Sequence, residues 1–168
     1  TYHIRAGGSD AASGLSDAEA WGSFAPLCSV RLQPGDSVRL RRGDVFREQL
    51  TVRGGGAPGA PVTIGAYGEG ARPVIRRSGD IADRCVRLEN ACHLVLEDME
   101  VCDGGAGIVL FYDESYGNED VTIRRVSAHD FYGIYRASGE SSRRAEWQRY
   151  RAPDRVGFSL GICVTGTD

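Results

Sequence analysis

The chain has 168 residues and 23 glycines, about twice the usual glycine share of ~7%. Its 20 basic residues are all arginine, against 23 acidic ones, for a net charge of -3. Lacking lysine, it has no Schiff-base, phosphate-loop or general-base lysine, and its acidic balance argues against a nucleic-acid partner.

The length suits one domain. Tyr2-His3-Ile4-Arg5 alternates like a short strand, and Gly7-Gly8-Ser9-Asp10 is turn material. Trp21, Phe24, Leu27 and Cys28 recur at helical spacing, with Ser23 as a cap and Pro26 in the first turn. Residues 1–35 are therefore expected to hold a strand and a capping helix.

From Asp36 the pattern becomes short strands between glycine turns: Ser37 to Leu40, Gln49 to Val52, Pro61 to Ile64 and Pro73 to Ile75. Strands this close, with no helix between them, exclude a βαβ fold and leave a sandwich, a barrel or a β-helix. The longest apolar run, Ala106 to Phe111, is far too short to span a bilayer.

An internal repeat separates these folds. His93 to Asp103 aligns with Asp120 to Asp130, which puts Leu94 over Val121, Leu96 over Ile123, Met99 over Val126 and Val101 over Ala128. Gly107-Ile108-Val109-Leu110 recurs as Gly133-Ile134-Tyr135 and Gly161-Ile162-Cys163-Val164, with Cys85-Val86-Arg87-Leu88 as a weaker copy. Such a period with two or three short strands describes a coil of a parallel β-helix. No Asn-Gly hairpin step occurs to favour a sandwich. The expected fold is all-β: a right-handed parallel β-helix over residues 36–168 behind a short N-terminal capping helix.

Three segments carry a family likeness: Leu32 to Val38, Arg42 to Arg47 and Ala60 to Gly68. Together with the opening Gly-Ser-Asp block, they resemble the N-terminal part of right-handed parallel β-helix proteins of the pectate-lyase-like superfamily. The resemblance implies a secreted, extracellular or periplasmic protein acting on a polysaccharide as a lyase or glycoside hydrolase. A non-catalytic glycan-binding or structural module is the alternative, because fold does not imply function. Only four or five coils fit, and the last segment starts a further coil with no visible cap. Further coils or a partner chain are therefore expected to cover that end.

Residues one coil apart stand about 4.8 Å apart on the surface. Glu97 is thus expected beside Arg124, and Asp98 beside Arg125, as ion pairs worth about 0.2–1 kcal/mol each when exposed. Asp103 is expected over Asp130, with His129 beside them and Cys102 one coil away. Stacked carboxylates repel unless a proton or cation lies between them. That cluster reads as an acid/base pair, as a calcium site held by Asp103 and Asp130, or as ordinary turn residues. With no lysine, the base of a β-elimination would be Arg124, His129 or Arg136. Tyr132, Tyr135, Trp147, Arg149 and Arg151 are the candidates to stack on and pair with an acidic glycan. Cys28, Cys85, Cys92, Cys102 and Cys163 form no CxxC. They read as small core residues, with one disulfide open to the clustered Cys85, Cys92 and Cys102.

Overall fold

The computed structural model describes residues 1–80, 83–113, 119–131 and 160–166, and within the last segment only the Ile162 side chain. The alternation read from the sequence does what it predicts. Val38 and Leu40 of Ser37–Arg41 (β2) are fully buried, while Arg39 and Arg41 look outward.

The described strands form three sheets. The first contains Tyr2–Ile4 (β1), β2, Val62–Tyr67 (β5), Leu94–Glu97 (β8) and Val121–Arg124 (β11), in that order. The second contains Val45–Phe46 (β3), Val74–Arg76 (β6), Glu100–Cys102 (β9) and Ser127–His129 (β12). The third contains Leu50–Arg53 (β4), Arg84–Glu89 (β7), Ala106–Tyr112 (β10) and Leu160–Gly166 (β13). All pairings within these sheets are parallel. The chain visits the three sheets in turn, then lays its next strand beside the previous one. This is an all-β, β-helix-like architecture.

The repeat register holds at residue level. Leu94 pairs with Val121, Leu96 with Ile123 and Val101 with Ala128. Leu94, Leu96, Met99 and Val101 are fully buried and share one core with Ile64, Ile75, Val86, Leu88 and Ile108. Ile162 pairs with Ile108 and Ile108 with Val86, so Cys85 does fall opposite Gly107. The Gly133-Ile134-Tyr135 copy lies outside the described residues.

The capping helix does not form. Only Ala25–Ser29 winds, as a short 3-10 turn with Pro26 at its start and Phe24, not Ser23, at its N-cap. The amide hydrogens before it are taken by side chains. Asp10 accepts from Gly22 and Ser23, and Glu48 accepts from Phe24. Trp21 instead stacks on Tyr2 and bridges to Ile4. Trp21, Phe24 and Leu27 are buried as expected, but through loop packing, and Cys28 is exposed. Cys85, Cys92 and Cys102 are free thiols, so no disulfide joins them.

Positive φ marks the corners. Asp98 (56°) and Arg125 (54°) occupy one, Asp103 (56°) and Asp130 (57°) the next, and His93 (44°) and Asp120 (52°) a third. In the first circuit Gly43 and Gly54 supply this left-handed conformation. Asp tolerates it better than most residues.

Candidate functional site

Two clusters of charged residues decorate the outer faces. On the first sheet Glu97 is only 7% exposed, the one buried charged residue among those described. Its carboxylate accepts from Arg124 Nε at 2.8 Å and from Arg125 at 2.8 Å, and Arg39 approaches it to 3.7 Å. Arg39 reaches it because Gly65 lies between them. A Cβ at Gly65 would come within 2.9 Å of the Arg39 guanidinium and 3.1 Å of Glu97 Cγ. Arg125 also pairs with both Asp98 oxygens, at 2.7 and 2.9 Å. That pairing holds the Asp98 carboxyl below the usual carboxylate range. The predicted pairs Glu97–Arg124 and Asp98–Arg125 are both present. Arg124 is thereby committed to Glu97 on the first sheet and does not join the His129 cluster on the second.

That second cluster grows from one ladder. Arg76 on β6, Cys102 on β9 and His129 on β12 are successive register partners, all beside the corner residues Asp103 and Asp130. His129 Nδ1 lies 2.7 Å from Asp130 Oδ2, and its Nε2 lies 3.3 Å from Glu100 Oε1. Asp130 first, and then Glu100, hold the imidazole pKa above its ordinary value. Arg76 Nε lies 3.1 Å from Asp103 Oδ2, and the Cys102 thiol donates to the same oxygen at 3.7 Å. Cys102 is almost fully buried, whereas the His129 and Glu100 side chains are 43% and 32% exposed.

Asp103, His129 and Asp130 therefore share one edge, as the repeat predicts. Asp103 faces the Arg76 guanidinium and Asp130 the His129 imidazole, and a thiol, Cys102, lies between them. Calcium prefers a cage of six to eight oxygens, so this donor set fits it poorly. The described group whose donors lie close enough to hold a metal is Glu100, Cys102 and His129. Sequence reasoning missed Glu100 and Arg76. Glu100 could have been found from its i, i+2 relation to Cys102, but Arg76 lies in a circuit that the repeat did not register. Tyr132, Tyr135, Arg136, Trp147, Arg149 and Arg151 lie outside the described residues.

This architecture places the chain among parallel β folds found in carbohydrate-active enzymes. The GH136 lacto-N-biosidase from Eubacterium ramulus, in its selenomethionine form, matches with a TM-score of 0.57 and 23% identity over 78% of this chain. The native form of that enzyme matches with a TM-score of 0.53, 21% identity and 74% coverage. A rhamnogalacturonan lyase matches with a TM-score of 0.52 and 17% identity over 79% of this chain. The chain spans only 28%, 30% and 36% of these three structures, respectively. At such identities the likeness concerns the fold. No protein-family model and no curated protein matches the sequence. Among the described residues, no helix is long and apolar enough to cross a membrane.

Proposed function

We propose that the chain is part of a secreted or periplasmic carbohydrate-active protein, built as a right-handed parallel β-helix and acting on an acidic polysaccharide. Residues 1–35 form its N-terminal cap and residues 36–168 its first coils, with further coils or a partner chain completing the end. The observation that carries this reading is His129, held on a solvent-facing sheet edge between Asp130 and Glu100. A carboxylate on Nδ1 fixes the imidazole orientation, and Nε2, 3.3 Å from Glu100, is the nitrogen that exchanges a proton. In a β-elimination, neutral His129 accepts the proton alpha to the uronate carboxyl. The electron pair left behind forms the double bond, and the glycosidic oxygen departs and takes a proton from solvent. Asp103 and Asp130 are the carboxylates of this site, and Arg136 is the other basic candidate. Tyr132, Tyr135, Trp147, Arg149 and Arg151 would bind the glycan. No step runs through calcium.

A second reading has its own observation. Asp103 and Asp130 share the left-handed corner conformation of Asp98, Arg125, His93 and Asp120, which is what a purely structural ladder of turn residues would show. A non-catalytic glycan-binding or structural module is then the alternative. Incubating the chain with pectate, alginate, glycosaminoglycans and neutral glycans separates the readings. Elimination yields an ultraviolet-absorbing unsaturated product, hydrolysis yields reducing ends without it, and a binding module yields a complex with neither.

A further inference from the structure

We propose that Glu100, Cys102 and His129 form a zinc site on the outer edge of the second sheet. This inference does not rest on the polysaccharide reading, although both use His129. Glu100 and Cys102 alternate on one face of β9, and His129 is the direct register partner of Cys102 on β12. One ligand atom from each residue lies within 4.8 Å of the other two. Zinc bonds of about 2.0–2.3 Å in a tetrahedron place neighbouring ligand atoms about 3.3–3.8 Å apart. The Glu100 Oε1 to His129 Nε2 distance is already 3.3 Å. Closing the rest needs only rotation of two half-exposed side chains towards a sulfur fixed in the sheet.

The surroundings supply what such a site requires. Asp130 accepts from His129 Nδ1 at 2.7 Å, the carboxylate–imidazole arrangement that orients a metal-bound histidine through its far nitrogen. Glu100, Asp103, Asp130 and a Cys102 thiolate outnumber the single guanidinium of Arg76, so a dication enters a net negative field. Binding releases the Cys102 proton to solvent, and the sulfur, imidazole nitrogen and carboxylate oxygen each donate a lone pair. Thiolate with imidazole selects a borderline metal such as zinc over calcium or magnesium. Three protein ligands leave a fourth position for water or a substrate oxygen. In the zinc-loaded chain the Nε2 lone pair is bound to the metal, so metal loading and proton transfer at that nitrogen exclude each other.

The test is zinc uptake by the full chain after chelator treatment, read by competition with a fluorescent zinc chelator and by cobalt(II) substitution. One zinc per chain is expected, with a thiolate-to-cobalt charge-transfer band in the near ultraviolet. Cys102→Ser and His129→Gln should each weaken uptake by at least about tenfold while circular dichroism stays unchanged, and Asp130→Asn by about tenfold. Cys28→Ser, which alters an exposed thiol elsewhere, should leave uptake unchanged. Absence of saturable uptake, uptake insensitive to Cys102→Ser, loss of uptake with Cys28→Ser, or displacement of zinc by calcium would overturn the site. Because uptake is read directly, a chain that turns over no glycan still tests it.

Discussion

At the scale of single residues, the corner positions decide how the site can be probed. Asp130 sits at φ 57° and Asp103 at φ 56°, so alanine there adds left-handed strain of about 1–2 kcal/mol to the loss of the carboxylate. Glycine removes the carboxylate and keeps the corner. Asp130→Gly is therefore expected to retain a melting temperature close to the parent while losing any turnover, and Asp130→Ala to lose both. Equal turnover in parent and Asp130→Gly would assign Asp130 to the corner alone. Asp98 supports a pH prediction. Its carboxyl is lowered in the folded chain, chiefly by its hydrogen bond with Arg125. Its contribution is therefore complete above the unfolded carboxylate pKa near ~3.9 and is lost as pH falls through the lower folded value. Denaturant midpoints measured from about pH 5 down to about pH 2 should fall less steeply in Asp98→Asn than in the parent.

At the scale of elements, close approach at the corners matters as much as the strands. A Cβ on Gly55 would lie 1.7 Å from the Cys92 carbonyl oxygen, and backbone cannot swing aside as a side-chain tip can. Gly55→Ala is expected to cost about 1–3 kcal/mol or more, read as a lowered urea midpoint. Gly65→Ala should cost less, since Arg39 and Glu97 can shift. These elements also show where the sequence was legible. The pairs Leu94–Val121 and Glu97–Arg124 follow from the single 27-residue offset of the repeat. Leu50 pairs with Val86 and Val86 with Ile108, 36 and 22 residues apart, and no fixed period can register such circuits. Arg76 precedes its partner Cys102 by 26 residues, one short of the repeat offset, and was hidden for that reason. The spacing of Trp21, Phe24 and Leu27 imitates a helix face. Asp10 and Glu48, distant in sequence, take the amide hydrogens nearby and leave only a 3-10 turn.

At the scale of the whole molecule, three parallel sheets enclose one apolar core and turn charged ladders outward. The ladder on the first sheet is closed upon itself around Glu97. The ladder on the second keeps His129 and Glu100 open to solvent beside two carboxylates, and this contrast is why the second edge is assigned the chemistry. The measurement that tests this most directly is product formation from pectate and alginate by the parent chain and by His129→Gln. Unsaturated, ultraviolet-absorbing oligosaccharides are expected from the parent and none from His129→Gln, with both proteins folded. Full turnover by His129→Gln, or no product and no binding with any acidic glycan, would contradict this assignment.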